Sequence, residues 1–275
     1  MTEASPDPAR MRREFQTAVA ALGFVDINAW VGSHPDPLRP AETSLPALAA
    51  AAADAGIREM VVSHTECVFA DPCEGNALLL DAVEASGGAG ISLCAGICLL
   101  PEGELPGSAG TYLDACLARG ARLVRLFPKS HRFPLAEWCC GGVLAALEER
   151  RLPLMVGHVE TSWSELHALC ERHPDLPVII DGAEQKLFYH NRPVEALLRA
   201  HPNLYVESHN LVHFLGLDHL ARRVGAGRFL FGSGMPQRDP AAALACVALA
   251  DLPDADRAAI ARGNWRRLME EVRTP

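Results

Sequence analysis

The feature that most constrains this chain is an eightfold alternation of short apolar runs with longer stretches of helical periodicity. Strands are expected at 22–28, 58–63, 90–98, 121–127, 153–157, 177–181, 203–207 and 227–231. Helices are expected at 44–55, 74–86, 109–119, 134–150, 163–173, 190–201, 211–225 and 240–271, the last broken around Pro253. Gly or Pro punctuates several helix-to-strand junctions, as at Gly56, Gly120, Pro153, Pro177 and Gly227. Eight βα units in 275 residues suit a single-domain α/β protein of the (β/α)8 TIM-barrel class, spanning residues 21–275. Residues 1–20 then form an N-terminal tail or a helix over the barrel floor. A doubly wound open sheet is the alternative, but no Gly-x-Gly-x-x-Gly turn follows an early strand.

Charge and hydropathy narrow the setting. The formal net charge of −9 opposes binding to nucleic acid and to anionic membranes. The N-terminal residues 1–15 are polar and charged with no apolar core of signal-peptide length, and no later run approaches the length of a membrane span, so a cytoplasmic protein is expected. Nine cysteines without metal-site spacing read as reduced core thiols. The expected partner is a small-molecule substrate, with a carboxylate as one candidate and a homo-oligomer as one assembly.

Five segments carry motif-like patterns: Asp26-Ile27-Asn28-Ala29-Trp30-Val31-Gly32, Leu152-Pro-Leu-Met-Val-Gly-His158, Val178-Ile-Ile-Asp-Gly-Ala-Glu184, Arg228-Phe-Leu-Phe-Gly-Ser-Gly-Met-Pro236 and Arg262-Gly-Asn-Trp-Arg-Arg-Leu-Met269. In this order they resemble the amidohydrolase-related family of metal-dependent TIM-barrel hydrolases. The resemblance runs from about residue 24 onward. It implies an enzyme whose first strand reads Asp-x-His-x-His, with further metal-facing positions at the ends of later strands. Asn28 and Trp30 stand at the two first-strand histidines, no His occurs near Asp181 or Gly182, and Gly234 replaces the catalytic Asp. Of the ligand positions only His158 survives. An indole cannot coordinate zinc and a neutral amide is a poor ligand. The fold is therefore expected to be kept with the usual metal site degenerate, and no cofactor is expected, zinc being the ion if any metal binds.

A rebuilt site is the alternative, because strand ends also offer His64, Glu66, Cys67, His131, Glu160, Asp181, Glu184, Glu207 and His209. Without a metal, chemistry rests on side chains: a hydrolase, lyase or isomerase working by acid/base catalysis. His158 is the leading acid/base candidate, with Glu160 beside it; the competing reading is a structural His and a solvated carboxylate. Period-two alternation puts Asp26 on the same inward face as Asn28 and Trp30, with Arg125 as its ion-pair partner. His209 completes the catalytic candidates. Asn28, Trp30, His64, Arg125, Lys129, Ser208 and Ser233 are the substrate-binding candidates, Trp30 as a flat stacking wall and Lys129 as a mobile cation. His213 falls one turn after His209, Ser208 and Asn210 are helix-cap types, and Gln237 and Arg238 suit an anion. A non-catalytic ligand-binding barrel and a metallohydrolase with a rebuilt site are the competing functions.

Overall fold

The computed structural model describes residues 7–36, 42–86, 90–182, 191–211 and 216–274. Among the described residues nine strands form one sheet: β1 (Phe24–Ser33), β2 (Glu42–Thr43), β3 (Ile57–His64), β4 (Ser92–Cys98), β5 (Ala121–Leu126), β6 (Leu154–Gly157), β7 (Val178–Asp181), β8 (Leu204–Glu207) and β9 (Phe229–Leu230). All pair in parallel except the two-residue β2, which runs antiparallel to the end of β1. The ring closes where Phe231 accepts from the amide of Ile27 at 3.0 Å and Met235 from that of Trp30 at 2.8 Å. A parallel bridge between Ala29 and Met235 joins the same edges. The protein is thus an α/β chain of the (β/α)8 TIM-barrel class.

The helices are α1 (Pro8–Leu22), α2 (Leu45–Asp54), α3 (Glu66–Phe69), α4 (Pro72–Ala85), α5 (Ala109–Ala118), α6 (Glu137–Arg150), α7 (Trp163–Arg172), α8 (Asn191–Ala200), α9 (Gly216–Val224), α10 (Pro240–Ala248), α11 (Asp254–Ala258) and α12 (Asn264–Glu271). Local chemistry sets their starts. Ser44, Asp71, Ser108, Ser162 and Asp239 each accept a first-turn amide, and Ser162 with Glu165 completes a reciprocal capping box. α1 leads into β1 through Gly23 and packs against α10. Among the described residues no helix is long and apolar enough to cross a membrane.

Two apolar layers follow from strand alternation. Phe24, Ala29, Val31, Met60, Val62, Val124, Val156 and Ile180 face the helices in the larger core. Val25, Ile27, Val61, Leu123, Met155, Ile179 and Leu230 face inward, joined by Trp265 and Leu268 of α12. Two residues beyond this inner layer stand polar side chains: Ser63 after Val61, Arg125 after Leu123 and Asp181 after Ile179. One strand length therefore carries the chain from a hydrophobic floor to a polar layer below the barrel mouth.

The first strand departs from simple alternation. Its register against β3 shifts between Asp26 and Ala29. Val25 and Ile27 lie in the inner layer, yet Ala29 and Val31 lie in the outer one, so inward phase passes from odd to even residues at this irregularity. Asp26 therefore does not share a face with Asn28 and Trp30, contrary to the period-two expectation.

Candidate active site at the barrel mouth

The centre of the site is Asn28, which is 2 % exposed. Its side-chain oxygen accepts from Arg125 Nη2 at 2.8 Å and from Trp30 Nε1 at 3.1 Å. Both partners can only donate, so the oxygen must face them and the amide NH2 must face the other way. There it lies 3.3 Å from Asp181 Oδ1, 3.0 Å from Glu207 Oε2 and 3.2 Å from His209 Nδ1.

Arg125 is also only 2 % exposed. It donates to Ser63 Oγ at 2.9 Å and Asp181 Oδ2 at 3.0 Å, and its guanidinium lies 4.7 Å from the Trp30 ring centroid. The expected Arg125–Asp26 pair does not form, because the phase change turns Asp26 away toward the segment after β9. Asp26 instead accepts from the amides of Asn28 and Ser233, each at 2.9 Å, and from the Ser233 hydroxyl. Burial pushes its carboxyl up to about 6 against the lowering effect of the Ser233 hydrogen bond. Asp26 and Ser233 thus tie β1 to the closing segment beneath the site.

His209 Nδ1 is hydrogen-bonded to Glu207 Oε2 and lies 3.7 Å from Asp181 Oδ1. Burial alone would lower its pKa, but the charge and hydrogen bond of Glu207, with the Asp181 charge, outweigh burial and raise it to about 9. The imidazole is therefore held in its charged form at neutral pH. The position where the family pattern has Asp is Gly234, at φ +72°; a β-carbon there would meet His209 Cδ2 at 3.1 Å and Arg238 Cδ at 3.2 Å. The missing side chain is what lets the His209 ring lie against this turn.

Above this layer opens a cavity of about 430 Å³. Trp30, Phe127, Phe69 and Val68 supply apolar faces, His34, Lys129 and Arg238 are basic or titratable, and Asp181 and His209 form part of the floor. Trp30 and Phe127 stand 6.1 Å apart between ring centroids. Thr65 Oγ1 and Gln237 Oε1 are buried polar atoms in this lining without a hydrogen-bond partner among the described residues. Such atoms cost free energy unless a ligand or water satisfies them.

The sequence candidates distribute unevenly over this geometry. Asn28, Trp30, Lys129, Glu160 and His209 line the cavity and Arg125 lies directly beneath it. Glu160 is engaged by Ser130, whose amide donates at 2.9 Å and hydroxyl at 2.7 Å. His158 is not in the lining: its ring stacks on Trp163 at 6.1 Å, with Nδ1 3.2 Å from the Asp181 carbonyl. It follows Gly157 and so has the opposite strand phase. His64 Nδ1 accepts from the Glu66 amide at 3.1 Å, outside the lining. Ser208 is buried with no partner for its hydroxyl among the described residues. Asn210 donates to the Gly182 carbonyl at 3.2 Å. Glu184 and His213 lie outside the described residues. Ser63, Thr65, His34, Phe69 and Phe127 were missed by sequence reasoning, although Ser63 and Thr65 flank the strand-end His64 that it did select.

Asp181, Glu207 and His209 bring one ligand-type atom each within 4.8 Å of one another, an arrangement that could hold a metal ion. His158, the surviving family ligand position, is not in this group. As the side chains stand, the Asn28 amide competes with an ion for one face of this set. The Asn28 NH2 lies 3.0 to 3.3 Å from an atom of each residue, and an ion bound at roughly 2.0–2.2 Å would meet its hydrogens.

Comparison with known proteins gives the geometry its relatives. The chain superposes on 5-carboxyvanillate decarboxylase from Novosphingobium aromaticivorans, solved with manganese and 4-hydroxy-3-methoxy-5-nitrobenzoic acid, with a TM-score of 0.71 and 12% identity over 90% of this chain and 96% of that one. A TIM-barrel protein from Bordetella bronchiseptica gives 0.68 at 16% identity over 90% and 98%. For 2,6-dihydroxybenzoate decarboxylase from Rhizobium the score is 0.67 at 16% identity over 90% and 98%. A 2,6-dihydroxybenzoate decarboxylase solved with 2,6-dihydroxybenzoate also superposes, at a TM-score of 0.67 and 16% identity over 90% of this chain and 99% of that one. No curated protein matches the chain in sequence. The sequence model described as Amidohydrolase matches residues 76–269, and the chain belongs to that amidohydrolase family.

Proposed function

We propose that this barrel is a small-molecule enzyme that acts on a planar carboxylate by side-chain acid/base catalysis, in a lyase or hydrolase reaction, with His209 as the proton donor. The observation that carries the reading is the His209 imidazole, hydrogen-bonded to Glu207 and 3.7 Å from Asp181, in the wall of a cavity whose lining combines the aromatic faces of Trp30, Phe69 and Phe127 with Lys129 and Arg238 and the carboxylates of Glu160 and Asp181. Trp30 and Phe127 supply faces for a ring, and Lys129 and Arg238 supply charge for its carboxylate. Thr65 Oγ1 and Gln237 Oε1 offer hydrogen bonds to substituents. In this reading His158 and Arg125 are positioning groups, His158 beside the Asp181 main chain and Arg125 on the Asp181 carboxylate.

For a decarboxylation, the bond between the ring carbon and the carboxylate breaks and CO2 leaves. The electron pair left on carbon takes the proton given up by His209, and solvent restores that proton. Glu207 and Asp181 keep the imidazole charged until the moment of transfer, and the aromatic lining keeps water from competing. For a hydrolysis, the same imidazolium protonates the leaving oxygen or nitrogen. The structural relatives solved with aromatic acids favour the carboxylate class.

The test is a panel of hydroxylated benzoates, including 2,6-dihydroxybenzoate and 5-carboxyvanillate, together with carboxylated lactones, followed by CO2 release and by ring absorbance. His209→Asn is expected to lower turnover by roughly 100-fold or more, the usual scale for a lost general acid, while ligand binding persists. Thr65→Val is expected to raise KM with little change in kcat. Wild-type turnover in the His209→Asn variant, or no binding of any member of the panel by the wild-type protein, refutes the reading.

A further inference from the structure

We infer that the side-chain amide of Asn28 is a built-in plug of the metal cradle, locked in orientation by Arg125 and Trp30, so that this barrel keeps divalent ions out of the Asp181, Glu207 and His209 cluster. The inference deepens the reading above, since it concerns the same cavity, but its test uses no substrate, so either can fail alone.

Three observations carry it. The Asn28 NH2 is nearly equidistant from an atom of each cluster residue, at 3.3, 3.0 and 3.2 Å, so it occupies one position from which all three can be reached at once. An ion could recruit Asn28 only if the amide turned over to present its oxygen. That rotation would set the NH2 against Arg125 Nη2 and Trp30 Nε1, two groups that can only donate and that now hold the oxygen at 2.8 and 3.1 Å. Charge gives the same answer. The Arg125 guanidinium, 3.0 Å from Asp181 Oδ2, already supplies the fixed positive charge that the buried carboxylates need. A divalent ion would have to sit beside that cation with no extra anion, because the fourth candidate ligand on this face is Gly234.

Trp30 therefore has a role beyond lining the cavity. Its indole N–H spends its hydrogen bond on Asn28, which fixes the amide and leaves the ring face on the Arg125 guanidinium. Trp30 and Arg125 act through Asn28 and are positioning residues for the plug.

The experiment is manganese binding without substrate, read by the loss of the free-ion electron paramagnetic resonance signal and by elemental analysis after dialysis. Wild-type protein is expected to retain no stoichiometric manganese or zinc. Asn28→Asp removes the NH2 and adds an anionic ligand, and is expected to bind one manganese per chain. Trp30→Phe removes one of the two donors that hold the amide oxygen, which loosens the lock, and is expected to tighten manganese binding by roughly 10-fold or more, the scale found when groups orienting a metal ligand change. Circular dichroism checks that both variants fold, and Trp30→Phe decides the matter should Asn28→Asp fail to fold. One tightly held ion per wild-type chain overturns the inference. So does a wild type that binds none while no folded variant gains an ion, because the amide is then not what keeps ions out.

Discussion

Replacing Arg125 by Met should be among the most damaging single substitutions in the chain. Arg125 is 2 % exposed and donates to Ser63, Asp181 and Asn28 at 2.9, 3.0 and 2.8 Å. Methionine keeps much of the volume but leaves the Asp181 side chain, 10% exposed, without its nearest cation. Removing one partner of a buried pair typically costs about 3–5 kcal/mol. The protonated His209, 3.7 Å from Asp181, compensates in part and places the expected loss near the lower end. For a chain of this size each kcal/mol moves the midpoint by roughly 2–4 °C, so a fall on the order of 10 °C is expected. Urea and thermal denaturation of wild type, Arg125→Met, Asp181→Asn and the double variant form a cycle. The double variant should be more stable than the sum of the single losses by roughly 1–3 kcal/mol, since it leaves no bare charge. A loss below about 1 kcal/mol in Arg125→Met, or strict additivity in the cycle, would show that the pair is not the element that holds the polar layer together.

Two further outcomes follow from the same layer. His209 is raised to about 9 in the folded protein from an ordinary 6.5, so the native state binds its proton more tightly than the unfolded chain does. That contribution is fully present below pH 6.5 and is lost as pH rises through about 9; Asp26, raised to about 6, acts in the same sense between about pH 4 and 6. Denaturation midpoints should therefore decline from pH 6.5 to 9 in the wild type and stay flatter in His209→Gln; equal slopes would refute the assignment. Gly232→Ala would place a β-carbon 2.2 Å from Glu207 Oε1 and 2.8 Å from Asn28 Cβ. Its cost should reach or exceed the upper part of the roughly 1–3 kcal/mol range for overpacking, and a change under about 0.5 kcal/mol would show that the layer yields freely.

Much of the candidate site could be read from residue types at strand ends. Asn28, Trp30, Arg125, Lys129 and His209 stand out because polar or aromatic groups at such positions face a barrel mouth. The pairings could not be read. Arg125 has several buried carboxylates within reach of its strand, and only the order and tilt of the strands decide that it meets Asp181 rather than Asp26. His158 is the strongest lone signal in the sequence, yet its ring lies on Trp163, since it is the first residue past β6 and stands one step out of phase with the inward-facing positions of that strand.

The sequence by itself determined the (β/α)8 architecture, because hydrophobic periodicity and capping are local and repeat eight times with little ambiguity. It also determined that the imidazoles of the family's first strand are gone, because that is a matter of residue identity. Only the tertiary structure decided which groups replace them. A register shift within β1 turns Asp26 outward and sends Asn28 into a ring of residues from three other strands or their ends. Such a shift depends on how β1 fits its neighbours in the closed barrel, and no pattern along a single strand encodes it.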